Sequence, residues 1–231
     1  MNLNSLPTIL GFSAASLITP ALISSSAQAA TFQLNSGVTN VILNTTTLSS
    51  VGLELTGTNG IVIDPALDVP TGFALAGFPI TPATNFTFSD ANGFTPLGGT
   101  IEHSGTITFN NSVTVGNFSI GFDPARASRI TSGFFVRDTA SLGAILFDVA
   151  PPSRLALTSS SLSLAATLLV SAEFASFLGN TALTGAEVGS ASITGDISEV
   201  AAVPEPTTVL GAIAAGGILA ASRRKKATSK P

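Results

Sequence analysis

The 231-residue chain has no cysteine, no tryptophan, no tyrosine and a single histidine. Without cysteine there is no disulfide scaffold, thiolate zinc site or thiol nucleophile. One imidazole excludes multi-histidine metal sites and every relay that needs two. Charged residues make up only 10%, against about 25% in an average globular chain. The few basic ones do not build the positive face that a nucleic acid needs. What is present is apolar: 45% of residues are hydrophobic and mean hydropathy is +0.52. Such a chain buries a core instead of staying disordered.

The scarce charges are unevenly placed. Residues 1–30 carry none. Residues 31–203 carry twelve acids and four arginines, a net of -8. Residues 204–231 set Glu205 against five bases, a net of +4. An asymmetry of this kind marks a tail with a task of its own.

The N-terminus has the pattern of an export signal. An apolar stretch from Leu6 to Ile23 ends in Ser24-Ser25-Ser26-Ala27-Gln28-Ala29-Ala30. Ala27-x-Ala29 is the small-residue pattern read by signal peptidase, which predicts a signal peptide over 1–29, cut after Ala29. No Lys or Arg precedes the apolar stretch. Pro20 and the serine run disfavour the alternative, a packed core helix.

The C-terminus carries the most specific motif. Val203-Pro204-Glu205-Pro206 precedes an uncharged stretch, residues 207–222, and then Arg223-Arg224-Lys225-Lys226. Two prolines keep the chain around Glu205 extended, since each lacks an N–H and restrains its predecessor. The 16 residues of 207–222 would span roughly 24 Å as a helix, short against a hydrocarbon core of about 30 Å. The basic cluster would stay on the cytoplasmic side.

This ordered set resembles the sorting tail of the PEP-CTERM family, found on exported proteins of Gram-negative and cyanobacterial cells that make extracellular polysaccharide. The resemblance implies that Val203, Pro204, Glu205 and Pro206 form the recognition motif. It implies a membrane helix over 207–222 and a stop signal at Arg223, Arg224, Lys225 and Lys226. The partner it implies is an exosortase-like membrane protease. This copy departs from the pattern by mixing Lys into the cluster and adding five residues after it.

Residues 30–202 read as a mainly β, extracytoplasmic domain with a β-sandwich or jelly-roll-like fold. Val51, Leu53 and Leu55 share one face of an alternating run, as do Phe86 and Phe88, Ile107 and Phe109, and Phe118, Ile120 and Phe122. Residues 57–60, 90–93 and 110–112 and the Asp123-Pro124 pair supply turn signals between the runs. Leu162, Leu164, Ala166, Leu168 and Val170 predict a strand. Ala172–Leu178 predicts a short helix with Ser171 as N-cap and Gly179 beyond its end. Glu187–Ile197 predicts a closing strand.

Candidate chemistry in this domain is sparse. His103 beside Glu102 and Ser104 could begin a hydrolase site, but no Gly-x-Ser-x-Gly elbow accompanies it. The alternative is a polar strand position. Asp64, Asp68, Asp90, Asp123, Asp138, Asp148 and Asp196 could offer oxygen ligands to calcium, with the neighbourhoods of Asp64/Asp68 and Asp123 favoured. Aspartate in a turn is the simpler reading. Phe134-Phe135 places one ring on each face of a strand, so the outward ring could meet a sugar. The threonines at 45–47, 106 and 108 share no period, and strand propensity explains them. The expectation is therefore a non-enzymatic exported protein with no cofactor and no metal, sorted to the cell surface or matrix, with exopolysaccharide as a candidate partner there. The alternative is a glycan- or calcium-binding module on the same tail.

Overall fold

Alternating apolar and hydroxyl residues, interrupted by Gly, Asn and Asp, satisfy their backbone hydrogen bonds by pairing sideways into sheets. The computed structural model describes residues 29–62 and 69–200, and these are mainly β. The strands are β1 (Thr31–Asn44), β2 (Leu55–Asn59), β3 (Phe73–Pro79), β4 (Thr87–Ser89), β5 (Thr95–Gly98), β6 (Ile101–Glu102) and β7 (Thr106–Phe109). They continue as β8 (Val113–Gly116), β9 (Ser119–Ala127), β10 (Ser132–Arg137), β11 (Ile145–Val149), β12 (Arg154–Leu157), β13 (Ser161–Val170) and β14 (Glu187–Glu199). Two short helices, α1 (Thr45–Ser50) and α2 (Ala172–Phe177), sit between strands.

The larger sheet is antiparallel and follows the order β5-β4-β1-β14-β13-β11-β10-β9-β6, with β3 added to β1 and β12 to β13. It curls until its margins meet. Ile80, just after β3, bridges His103, just after β6. The Ser104 N–H donates to the Pro79 carbonyl at 3.1 Å, and the Thr81 N–H to the Glu102 carbonyl at 2.7 Å. Strands β2, β7 and β8 form a second, smaller sheet.

Phenylalanines fill the enclosed space. Phe78 meets Phe118 edge to face at 4.9 Å. Phe134 lies 5.8 Å from Phe86, 6.2 Å from Phe94 and 5.1 Å from Phe122. Each fully buried ring stabilises the fold by roughly 1.5–3 kcal/mol.

Several local expectations hold. β13 alternates as its leucines require, with Leu162, Leu164, Ala166, Leu168 and Val170 buried. The Ser171 hydroxyl caps α2 by accepting from the Phe174 N–H at 3.0 Å, and Gly179 follows at φ +71°. Asn110 and Asn111 have positive φ, and the Ser112 N–H returns to the Phe109 carbonyl, which makes the β7–β8 hairpin turn.

Others do not hold. Thr45–Thr47 open α1 instead of a strand, because the Asn44 side chain accepts from the Thr47 N–H and starts a helical turn. Val51 therefore belongs to the end of that helix, and only Leu55 of the run at 51–55 lies in a strand. Asp123-Pro124 falls inside β9, at an irregularity in its pairing with β10, where proline's missing N–H costs no ladder bond.

A bulge decides which face of β1 looks inward. Its pairing with β14 shifts register between Leu34 and Ser36. Before the shift the buried residues are Phe32 and Leu34; after it they are Thr39 and Leu43. The parity has changed from even to odd, as one inserted residue requires. Gly37 sits beside the shift at φ +140°, and a Cβ there would lie 2.3 Å from the Thr194 carbonyl oxygen.

Among the described residues no helix is long and apolar enough to cross a membrane. The expected signal peptide and the helix over 207–222 lie outside the described residues.

Candidate functional site

The seam that closes the larger sheet also carries the chain's histidine. The two-residue strand β6 pairs with β9, which sets the His103 backbone N–H on the Phe118 carbonyl at 2.9 Å. The ring Nδ1 reaches the same carbonyl at 2.9 Å. A carbonyl only accepts, so Nδ1 carries the proton and Nε2 presents a lone pair. The Thr39 hydroxyl, turned inward by the bulge in β1, donates to Nε2 at 2.7 Å. Both residues are buried. Burial pushes the imidazole below its ordinary value, opposed in part by the Phe118 carbonyl and the charge of Glu102. His103 is thus a neutral, satisfied group.

Around this pair the walls are apolar. A cavity of about 30 Å³ lies among Thr39, His103, Phe78, Phe118 and their neighbours. A second, of about 40 Å³, adjoins Phe86, Phe94 and Phe134, and both touch Ile120, Val136, Leu168 and Ala191. These volumes suit a water or two, against about 300–1,000 Å³ for a small-molecule pocket.

The hydrolase constellation does not assemble. The Glu102 carboxylate accepts from the Ser119 hydroxyl at 2.8 Å, and Ser104 is exposed. The partner that meets His103 is Thr39, 64 positions earlier, which no local motif announces.

The described aspartates are each engaged, and among the described residues no cluster of His, Asp and Glu could hold a metal ion. Asp138 is fully buried and accepts four backbone N–H groups, from Gly116, Ala140, Ser141 and Leu142. It thereby ties the end of β8 to the loop after β10. Asp123 accepts from the Ala125 N–H, Asp196 from the Ser36 hydroxyl and Asp90 from the Ala30 N–H. Asp64 and Asp68 lie outside the described residues.

Asp148 belongs to an ion-pair group on the outer face. Arg126 donates through Nε to Asp148 at 2.8 Å and through both terminal nitrogens to Glu173 at 2.7 and 3.0 Å. This joins β9, β11 and α2. The bond from Arg126 lowers the Glu173 carboxyl to about 2, and the paired carboxylates raise the guanidinium. The Arg126 head also lies 5.7 Å from the centroid of the Phe135 ring. Phe135 does face outward, opposite to Phe134, but it is half-buried and lies across Gly121. It is a covered ring and not an open platform for a sugar.

A more open aromatic is Phe73, 40% exposed. It edges a groove of about 350 Å³ shared with Asn44, Thr47, Glu187 and Ser190. The sequence signal for it is slight: a phenylalanine straight after a turn glycine, Gly72, at the start of a strand. The residues expected to direct sorting, Val203, Pro204, Glu205, Pro206, Arg223, Arg224, Lys225 and Lys226, lie outside the described residues, as does Ala27. Ala29 is described and exposed.

No protein-family model and no curated protein matches the chain. Among solved structures it is similar to the C-terminal domain of HtaA from Corynebacterium glutamicum, with 14% identity and a TM-score of 0.47 over 71% of this chain and 99% of that one.

Proposed function

We propose that the chain is a non-enzymatic protein delivered to the cell surface or extracellular matrix by two terminal signals. A signal peptide over 1–29 would be cut by signal peptidase, and the tail 203–231 would be handled by an exosortase-like membrane protease. The β domain, sandwich-like or jelly-roll-like in this reading, is the cargo. The observation that carries the proposal is the order of Pro204-Glu205-Pro206, the uncharged stretch 207–222 and Arg223-Arg224-Lys225-Lys226.

Two features of the domain support it. Phe32 pairs with Glu199, and the Val200 N–H donates to the Thr31 carbonyl at 2.7 Å, so the chain enters and leaves at one end. A tail anchored in a membrane would hold the rest of the domain outward. The neutral, enclosed His103 also suits a protein without acid–base chemistry. The test is to localise the full chain and a form lacking 204–231. Envelope retention that depends on the tail supports the reading; equal retention of both forms in the cytoplasm overturns it.

The groove at Phe73 favours a second reading, a saccharide-binding module on the same tail. It lies where Leu43 pairs with Gly189, roughly 35 Å of strand from the end at which the chain enters and leaves. An exposed ring beside hydroxyl, amide and carboxylate groups is the chemistry a sugar uses. Titrating exopolysaccharide fragments into the exported protein and its Phe73→Ala variant separates the readings. Binding lost in the variant favours the module, and absence of binding to either leaves the delivered, ligand-free protein.

A further inference from the structure

Ala30 is the first residue after the expected signal cut, and it is also where the described fold takes hold of the chain. Its backbone N–H donates to the Asp90 Oδ1 at 2.8 Å, and the Asp90 N–H returns to the Ala30 carbonyl at 3.1 Å. This exchange continues the ladder of β1 with β4, in which Thr31 faces Ser89. Ala30 is half-buried and packs against the core, whereas Ala29 is exposed. Beyond Asp90 the chain turns through residues 91–93, with Asn92 at φ +56°, which fixes the aspartate at the strand end. The carboxylate is thus held against the one backbone nitrogen that a cut after Ala29 would transform.

We propose that Asp90 is the receptor for the N-terminal ammonium that export creates at Ala30. The proposal rests on the cut after Ala29. Hydrolysis of the Ala29–Ala30 amide adds one water: the hydroxyl goes to the Ala29 carbonyl, and the acid so formed releases its proton to solvent and leaves as a carboxylate. The proton goes to the Ala30 nitrogen, which takes up a second proton from solvent at neutral pH. An uncharged amide with one N–H becomes an ammonium with three, 2.8 Å from a carboxylate already in place. A neutral hydrogen bond becomes a charge-assisted one. Processing would then tighten the contact between β1 and β4, and the mature chain would be pinned at its new end. A cut one or two residues away in either direction places the charge elsewhere.

The experiment uses the full chain exported from cells, as wild type and as Asp90→Asn, which keeps an acceptor oxygen but removes the charge. Intact mass and N-terminal sequencing come first. A mature terminus elsewhere than Ala30 overturns the cut and the ion pair together, and leaves the sorting tail to its own test. With Ala30 confirmed, labelling of the α-amine is followed against pH. The ordinary α-amine titrates at about 7.7–8.0. The expected result is a titration above that range in the native wild type, with labelling at neutral pH slowed about three-fold, as an exposed ion pair of ordinary strength requires. The effect disappears in urea, at high salt and in Asp90→Asn. The urea comparison needs no variant, so poor folding of Asp90→Asn does not shield the proposal. An α-amine titrating in the ordinary range in native wild type, indifferent to salt, overturns it.

Discussion

The Thr39 hydroxyl and the His103 ring are 64 residues apart in the chain and 2.7 Å apart in the fold, where the threonine donates to the imidazole Nε2. Thr39 lies on β1, one strand in from the β3 margin, and His103 follows the β6 margin, so the bond forms only when the curl is closed. It satisfies the polar wall of the small, otherwise apolar cavity beside Phe78 and Phe118.

Removing the donor leaves a buried lone pair without a partner. Thr39→Val, close in shape, should lower stability by about 1–3 kcal/mol, and Thr39→Ser should restore most of it. Urea unfolding of the exported protein measures both. A loss for Thr39→Val no larger than that for Thr39→Ser would contradict the bond.

The same pair sets a pH dependence. The folded His103 titrates below its ordinary value, so below about 6.5 the unfolded chain binds a proton that the folded one refuses. The contribution of the neutral ring is fully present above that pH and is lost as pH falls toward the folded value. Urea midpoints should therefore drop between neutral pH and about pH 5 in wild type, and drop less in His103→Phe. Equal slopes would sink the assignment.

Glu173 acts at lower pH and in the sense of an acid. Its folded value, about 2, is below the ordinary 4.5, so its pairing with Arg126 stabilises above about 4.5 and fades as pH falls through 2. Its side chain is 42% exposed, and solvent screening limits the effect to about 1 kcal/mol. Comparing wild type with Glu173→Gln at pH 6 and at pH 2.5 reads it; the gap should narrow on acidification.

Asp138 accepts four N–H groups with no exposure. Asp138→Asn replaces one accepting oxygen by an NH2 that faces donors, and should cost about 2–3 kcal/mol. Amide exchange at Gly116 and Leu142 should speed up selectively. Equal exchange at these sites in variant and wild type would argue against Asp138 as the tie between β8 and the loop after β10.

Gly37→Ala tests the bulge. The added methyl would meet the Thr194 oxygen at 2.3 Å and the Gly195 Cα at 2.6 Å, both backbone. The positive φ adds strain, and the loss should exceed about 2 kcal/mol. Gly52→Ala, also at positive φ but with open space around it, is the control and should cost less.

Local elements were legible because their causes are local. The leucines of β13 alternate because one face is buried, and Ser171 stops a strand and starts α2 by capping its N-terminus. The positive φ at Asn110 and Asn111 follows from what asparagine tolerates. Thr45–Thr47 misled because β-branched residues favour strands, and a single cap from Asn44 outweighed that preference. Asp123-Pro124 misled because a turn signal and a bulge signal use the same residues.

The sequence by itself determined the mainly β character, the turns at 90–93 and 110–112, and the segregation of charge between an acidic middle and a basic tail, whereas the turn signal at 57–60 falls largely within β2. Only the tertiary structure decided that Thr39 meets His103, that Asp138 collects four N–H groups and that Asp90 waits at Ala30. The physical reason is register. Period-two patterns say that a residue faces a core, but a one-residue bulge in β1 reverses that facing for the rest of the strand. Which distant side chain stands opposite is then set by how the sheet closes, and no window of neighbouring residues contains that information.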